Sequence, residues 1–359
     1  MYQKVTMKDI ANDLGVSITT VHRALQGKEG VSEEIALKIK QLASEKGYKT
    51  NYMASSLKRK DFKIAIVLPE PTMYNRYYYL NLWIGARHFL DQVSEFNIKS
   101  LDFYYPLQKN SQGDKLKEVY DLYSNDIDGL LTIAVDDSNT SYFLEKFSQK
   151  NVPIALIGSD LYKDLRFCCV KCYDEMVGNL AAELLTSFHQ TDFSPNIILT
   201  GNPIGDLSML DQYYNFLGFK NYIESNFPQS NLIYTYGHDV NLVKEQLRNT
   251  ILNTKDVYAI YAQSARHTVL ICELIEELSL QGKIKLVGND CFSDSISYLQ
   301  KNILTALIDK KVSTQSYVAT KMLFDFLVKG EYPSSNLTQI QPTIVLKSNI
   351  EFYTQNYIF

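Results

Sequence analysis

Residues 6–25 read Thr-Met-Lys-Asp-Ile-Ala-Asn-Asp-Leu-Gly-Val-Ser-Ile-Thr-Thr-Val-His-Arg-Ala-Leu, and this stretch decides what the N-terminal part of the chain is. Thr6 followed by Asp9 has the Ser/Thr-x-x-Asp/Glu form of a helix N-cap, in which the side chains satisfy the first free backbone N–H groups. Ile10, Ala11 and Leu14 then fall on one side of a short helix that stops at Gly15, a residue suited to the positive φ of a corner. Ser17 caps a second helix, Ile18 to Leu25, after a turn of only Gly15 and Val16. Two short helices joined that tightly form a helix-turn-helix. A third helix begins at Ser32, carries Glu33 and Glu34 in its first turn where the helix dipole favours anions, and spaces Ile35, Ile39 and Leu42 on one face before ending at Lys46-Gly47. Three such helices can share one core. By pattern alone, a helical cap or a dimerisation bundle remains an alternative.

Charge separates this segment from the rest. Residues 1–60 hold 11 Lys or Arg against 6 Asp or Glu, and the remainder holds 25 against 34. A basic module joined to an acidic body is the electrostatic outline of a polyanion-binding headpiece on a domain that does not bind polyanions. At 359 residues the chain exceeds one ordinary core and is expected to form two or three domains. It has no run of 18 apolar residues, and its first residues lack the apolar core of a secretory signal. A cytoplasmic location with no membrane partner is expected. Cys169 and Cys172 have no second pair at zinc-site spacing, and Cys272 and Cys291 are isolated, so the cysteines read as buried thiols.

From Lys63 onward short apolar β-type runs alternate with longer amphipathic ones, the mark of βαβ units and parallel sheets. Strands are expected at Ile64–Leu68, Leu130–Val135, Ile154–Ile157, Ile197–Thr200, Tyr258–Ala262, Lys285–Val287 and Leu304–Ile308. So many units exceed one sheet. Two consecutive doubly wound subdomains accommodate them, with a ligand between at the carboxyl ends of the strands. The sequence contains no G-x-G-x-x-G, no G-x-x-x-x-G-K-S/T, no H-E-x-x-H and no G-x-S-x-G, and Gly201-Asn-Pro-Ile-Gly205 lacks the phosphate-loop lysine. The five histidines have no metal-like spacing. No catalytic residue, cofactor or metal is therefore expected. The competing readings are a sugar-processing, kinase-like α/β enzyme fused to a helix-turn-helix, which the missing phosphate loop opposes, and a transporter's solute-binding protein, which the missing signal and the headpiece oppose.

The run Val5-Thr6-Met7-Lys8-Asp9-Ile10-Ala11, then Gly15-Val16-Ser17-x-x-Thr20-Val21-x-Arg23-Ala24-Leu25, then Val31-Ser32, Gly47-Tyr48 and Asn51 with Ala54 and Leu57, resembles the headpiece of the lac repressor and galactose repressor family. The resemblance implies a transcription regulator, a repressor in kind, that binds double-stranded palindromic operator DNA as a homodimer. It implies that the second helix enters the major groove with Ile18, Thr19 and Arg23 toward base edges. Arg23 can fork onto guanine O6 and N7, whereas Ile18 offers only apolar contact. Thr6, Ser17 and Thr20 are expected on phosphates, which set register without reading sequence. His22 stands where the family usually has Ser. Asn51, Ala54, Ser55 and Leu57 match the family's hinge helix, with Leu57 as a minor-groove wedge that kinks the duplex. Thr50 replaces a usual Pro and Ser55 a usual Arg or Gln.

The order of the later segments is similar to that family's effector domain, itself like the type I periplasmic sugar-binding proteins. It rests on Ile127-Asp128-Gly129-Leu130, Val152-Pro153-Ile154, Asp174 with Gly178, Gly218-Phe219 and Val287-Gly288-Asn289-Asp290. The implied division is a headpiece at 1–50, a hinge and linker at 51–61, and an effector and dimerisation domain at 62–359. The chain is then expected to cross between subdomains near Lys163, Asp290 and Lys329, giving one subdomain of about 62–162 plus 291–328 and another of 163–290 plus 329–359. Asp290 corresponds to an acid that binds ligand hydroxyls, with a helix-capping role as the alternative. Asn215 stands where a sugar-anchoring Arg is usual, Gln263-Ser264 where Asn-Asp is usual, and Lys310 where Gln is usual. The aromatic run Tyr74, Tyr77, Tyr78 and Tyr79, with Tyr77 as its effector candidate, is expected either on a sugar face or in core or dimer surface. Asp136, Ser159 and Asp160 complete the effector candidates. The effector is expected to be a sugar or a related small molecule. No leucine heptads follow Ile344, so no tetramerising coiled coil is expected.

Overall fold

The computed structural model describes residues 7–25, 30–46, 61–72, 75–108, 110–187, 189, 193–201, 210–237 and 239–356, with backbone alone at 22, 44, 210–213 and 354–356. Thr6, Asn51, Ala54, Ser55 and Leu57, and the His22 side chain, lie outside the described residues. The chain divides into two compact units, Met1–Arg59 and Lys60–Phe359.

The first unit contains α1 (Met7–Leu14), α2 (Ile18–Leu25) and α3 (Glu33–Glu45). Gly15 takes φ +62° at the corner between α1 and α2, a left-handed conformation that glycine adopts without steric cost. Ile10 and Ala11 from α1, Val21 and Ala24 from α2, and Ile39 and Ala43 from α3 form one small core. Each helix contributes one apolar stripe, and no helix could bury its stripe alone.

The second unit is built on two six-stranded sheets. The first sheet has the order β2-β1-β3-β4-β5-β11, from β1 (Phe62–Pro69), β2 (Ile98–Tyr105), β3 (Gly129–Ile133), β4 (Ile154–Ile157), β5 (Cys168–Cys172) and β11 (Leu337–Ile340), and its pairings are parallel. The second repeats that order as β7-β6-β8-β9-β10-β12, from β6 (Asn196–Gly201), β7 (Asn231–Tyr236), β8 (Val257–Ala262), β9 (Lys285–Asn289), β10 (Ala306–Asp309) and β12 (Thr343–Val345). Only the edge strand β12 runs antiparallel, against β10. This is the doubly wound 2-1-3-4-5 order, whose topological switch point leaves a crevice at the strands' carboxyl ends.

Connecting helices cover the sheets: α4 (Arg76–Gln92), α5 (Ser111–Tyr123) and α6 (Ser138–Gln149) in the first lobe, then α7 (Asp174–Thr186), α8 (Leu210–Asn226), α9 (Val240–Asn253), α10 (Ala265–Glu277) and α11 (Ser293–Gln300). After β10 the chain returns to the first lobe as α12 (Val312–Phe324), which packs against α4 so closely that a Cβ on Gly85 would meet the Ser313 carbonyl oxygen at 2.0 Å. A final short helix, α13, spans Glu351–Asn356.

The crossings therefore fall after Cys172, after Asp309 and between Ile340 and Thr343, rather than near Lys163, Asp290 and Lys329. Pairing energy explains the shift. The wholly buried Cys-Cys-Val-Lys-Cys strand β5 hydrogen-bonds to β4 and closes the first lobe, and β10 pairs with β9 to close the second. An unpaired buried strand edge would leave a row of unsatisfied backbone groups. Residues 163–172 and 337–340 thus belong with the first sheet, and 291–309 with the second.

Candidate nucleic-acid interface and effector cleft

In α2 the two faces have distinct roles. Val21 and Ala24 are buried, while Ile18 is 48% exposed and Thr19 and Arg23 are also exposed. Ser17 caps the helix, accepting the Thr20 N–H at 3.0 Å, and its hydroxyl lies 2.8 Å from that of Thr20. These two hydroxyls are thus held at the start of α2, beside free backbone N–H groups that favour anions. Sequence reading missed one supporting residue, Gly30. It has φ +95°, and a Cβ there would lie 3.2 Å from Arg23 Nη1, so the backbone at Gly30 makes room for the guanidinium.

At the other site, three strands of the second sheet end side by side, and each end delivers one polar residue. Gln263 follows β8, Asp290 follows β9 and Lys310 follows β10. Asp290 sits at φ +67° with its N–H donated to the Ile308 carbonyl at 2.9 Å. Asp290 is 2% exposed, and its carboxylate is partnered by Lys310, whose Nζ stands 3.5 Å from Oδ2. Burial lifts the Asp290 carboxyl above its ordinary range, and the ammonium draws it back. Burial works against the charge on Lys310, yet Asp290 and then Asp174 hold its pKa above the usual lysine value. A second buried pair, Lys171 with Asp174 at 3.5 Å, adjoins this floor.

The sequence-derived residues Asn215, Gln263 and Asp290 do converge. Asn215 Oδ1 accepts the Tyr261 hydroxyl, Asn289 Nδ2 donates to that hydroxyl at 3.2 Å and to the Gln263 carbonyl at 2.8 Å, and Asn215 Nδ2 reaches the same carbonyl at 3.4 Å. The Gln263 side chain lies over Gly201, where a Cβ would meet Oε1 at 2.2 Å, and its Nε2 is buried with no acceptor. Asn215 is carried on α8, which crosses α7 through glycines: a Cβ on Gly178 would meet the Asn215 carbonyl oxygen at 1.9 Å. From the first lobe, Tyr78 lies under Lys310, with Nζ 5.5 Å from the ring centroid, and meets Tyr79 edge-on. Burial pushes the Tyr79 phenol up to about 12, against the pull of Arg266 and Lys310.

The other four effector candidates belong to the first lobe. Asp160 is committed to Arg166, whose Nε and Nη2 both donate to its carboxylate and whose Nη1 donates to the Asn336 carbonyl at 2.8 Å. Neighbouring Ser159 contributes its carbonyl to the Cys169 thiol at 3.4 Å. Asp136 is exposed beyond β3. Tyr77 is 7% exposed and packs on Phe292 rather than facing the Asp290–Lys310 pair. Tyr78 and Tyr79 belong to the aromatic run that the sequence nominated, whereas Tyr261, Asn289, Lys171 and Asp174 escaped that reading as site residues. Only the adjacency of Asn289 to Asp290 offered a local signal for these four.

All five cysteines are buried and free, and burial carries the Cys168 thiol up to about 12 against the pull of the Arg166 charge. His267 is also buried, and desolvation followed by the nearby Arg266 charge holds it down at about 3. Among the described residues no three His, Cys, Asp or Glu side chains gather as for a metal, and no helix is long and apolar enough to cross a membrane.

A helix-turn-helix joined to a two-lobed, periplasmic-binding-protein-like domain defines a class, the DNA-binding transcription regulators with a small-molecule-binding fold. Residues 6–51 match the model of the bacterial regulatory proteins of the lacI family, and residues 89–331 that of the periplasmic binding protein domain. The chain belongs to the lacI family. Among curated relatives, catabolite control protein A of Staphylococcus aureus (strain Mu50 / ATCC 700699) is 25% identical over 186 residues, covering 50% of this chain and 52% of that one. The HTH-type transcriptional regulator DegA of Bacillus subtilis (strain 168) is 27% identical over 207 residues, 56% of this chain and 58% of that one. The chain thus spans about half the length of the curated relatives it matches. Of solved structures, one described as a LacI transcriptional regulator from Bacteroides fragilis aligns with TM-score 0.70 at 18% identity, covering 82% of this chain and 100% of that one. GanP, a glucose-galactose binding protein from Geobacillus stearothermophilus, aligns with TM-score 0.66 at 18% identity, covering 81% and 99%. At such identities these two structures establish the fold.

Proposed function

We propose that this regulator binds a palindromic operator as a homodimer in the cytoplasm, and that a polyhydroxylated small molecule, a sugar or sugar derivative, controls that binding, with repression as the output. The observation that carries the effector reading is the cleft floor, where the buried Asp290 carboxylate keeps only a long 3.5 Å pairing with the Lys310 ammonium and the buried Gln263 Nε2 lacks an acceptor. A hydroxyl donates one hydrogen bond and accepts two, so a polyol can satisfy both kinds of group at once. Leaving them unmade costs about 1–3 kcal/mol each, which a matching ligand recovers. Structural relatives with sugars support the choice, among them a solute-binding protein from Burkholderia graminis C4D1M in complex with D-arabinose.

On the DNA side, Ile18, Thr19 and Arg23 read bases, and Ser17 and Thr20 hold phosphates. Thr6, His22, Asn51, Ala54, Ser55 and Leu57 extend that contact set by family resemblance. Dimerisation follows from the need to match two half-sites, and exposed Leu80 on α4 and Leu242 and Leu252 on α9 offer apolar surface for it.

The test has two arms. Selection of bound sequences from randomised duplex DNA should return an inverted repeat, and binding to it should weaken steeply with salt as counterions are released. Thermal-shift screening with neutral sugars, sugar acids and purines should give hits that Asp290→Asn abolishes. Unpatterned DNA selection would defeat the operator reading, and hits unaffected by Asp290→Asn would defeat the assigned cleft.

A further inference from the structure

Tyr77 and Arg76 open α4 in the first lobe, yet their contacts are in the second. The Tyr77 ring stacks on Phe292 with centroids 4.3 Å apart and planes 27° apart. Ala265 and Val269 of α10 complete a buried apolar cluster around these two rings, with Tyr298 of α11 packed against it. The Tyr77 hydroxyl donates to Asp294 Oδ2, and Arg76 Nη2 donates to that hydroxyl at 2.9 Å while standing 3.5 Å from the same carboxylate oxygen. The Arg76 guanidinium also lies over the Tyr77 ring, 4.5 Å from its centroid. One aromatic stack, one charge-assisted hydrogen bond and one ion pair therefore join two lobes that the chain connects only through crossovers.

We propose that Arg76, Tyr77, Phe292 and Asp294 form an interlobe clasp that sets how far the cleft closes, with Tyr77 as a positioning residue for the effector site. The next residues along α4 supply the second half of the argument. Tyr78 and Tyr79 carry the first lobe's side of the cleft, and Tyr78 lies under Lys310. Because Tyr77 is anchored to α10 and α11 across the cleft, its anchoring fixes the first turn of α4 and so the height of Tyr78 above the Asp290–Lys310 pair. An opened clasp lifts that turn away. The clasp would then act on ligand affinity through the closed fraction, since apparent affinity scales with the population of the binding-competent state. This last consequence rests on the proposed effector site, whereas the clasp itself does not.

The experiment measures lobe separation directly and without ligand. In the full-length protein, spin labels at Leu122→Cys, at the end of α5 in the first lobe, and Lys255→Cys, before β8 in the second, occupy exposed positions. The native cysteines are buried. Labelled protein is diluted into unlabelled protein so that distances within one chain are read by double electron–electron resonance. The parent should show one dominant short distance. Tyr77→Phe removes one hydrogen bond to a partly exposed carboxylate and should lower the closed-to-open ratio about fivefold. Tyr77→Ala, which also removes the stack, should make the longer distance dominant, and Asp294→Asn should resemble Tyr77→Phe. The charge swap Arg76→Asp with Asp294→Arg should recover the short distance lost in Arg76→Asp alone. Unchanged distance distributions in Tyr77→Ala, or in both Tyr77→Phe and Asp294→Asn should the alanine variant not fold, would overturn the clasp. A changed distribution with no sugar hit in the thermal screen would uphold the clasp and remove the effector reading instead.

Discussion

Replacing Lys310 with Met tests the cleft floor most directly, because it removes the ammonium 3.5 Å from Asp290 and leaves a buried carboxylate without its counter-charge. Breaking a buried pair at one partner costs about 3–5 kcal/mol. Unfolding entropy is about 2.1 cal/mol/K per residue, so for the unit Lys60–Phe359, roughly 300 residues, each kcal/mol is worth roughly 1.6 °C. The expected fall in Tm at pH 7 is about 5–8 °C. Its pH dependence follows from the direction of the Asp290 shift. Burial raises this carboxyl, and the variant lacks the Lys310 charge that draws it back. The folded variant therefore binds the Asp290 proton more tightly than the unfolded chain, whose carboxyl titrates near 3.9. Stability is kept below that unfolded pKa and lost as pH rises through the raised folded pKa. Lys310→Met should thus approach the parent near pH 4 and fall away toward pH 8. The double variant Lys310→Met/Asp290→Asn, with no buried charge left, should regain most of the loss and show none of this added pH dependence. Melting of the parent, both single variants and the double variant across pH 4–8 provides the measurement. A Lys310→Met deficit equal at every pH, or a double variant no better than the single one, would refute the reasoning.

Arg23→Ala should weaken operator binding by about 1–3 kcal/mol and relax one position of the selected sequence, read by competition with single-base operator variants. Equal losses on every sequence would assign Arg23 to a phosphate. Asp160→Ala leaves the buried Arg166 guanidinium without its carboxylate and should cost about 3–5 kcal/mol in denaturant unfolding while ligand affinity below the transition stays constant. Stable protein with weakened ligand binding would return Asp160 to the ligand set. Gly178→Ala must displace the Asn215 carbonyl, 1.9 Å from the added carbon, and should lower stability by about 1–3 kcal/mol while also loosening effector binding through Asn215. A loss of stability alone would separate Asn215 from the ligand.

Local chemistry made the headpiece legible. The spacing of Ile10, Ala11, Val21, Ala24 and Ile39, the cap at Ser17 and the corner at Gly15 act within one or two helical turns, so each can be read from adjacent residues. The strands richest in Ile, Leu and Val were legible for the same reason. Strand β5 was not, because its burial comes from pairing with β4 and β11 rather than from its own Cys-Cys-Val-Lys-Cys composition.

Asn215, Gln263 and Asp290 could be nominated from strand ends and from the family resemblance, but their partners could not. Tyr261 and Asn289 join them only because β8 and β9 pair in register, and Lys310 meets Asp290 because β10 lies beside β9. Asp160 shows the opposite case, a carboxylate at a strand end whose use was decided by Arg166 six residues later and by the turn that folds it back. Tyr77 was expected on a ligand or in a packed surface, and the structure gave it Phe292 and Asp294, more than 200 residues away in sequence. The sequence by itself determined that a helix-turn-helix precedes alternating strands and helices, because periodicity, caps and turns are short-range properties of the chain. Only the tertiary structure decided where the lobes divide and which side chains face the cleft, because strand order and lobe closure are set by backbone pairing and packing between distant segments.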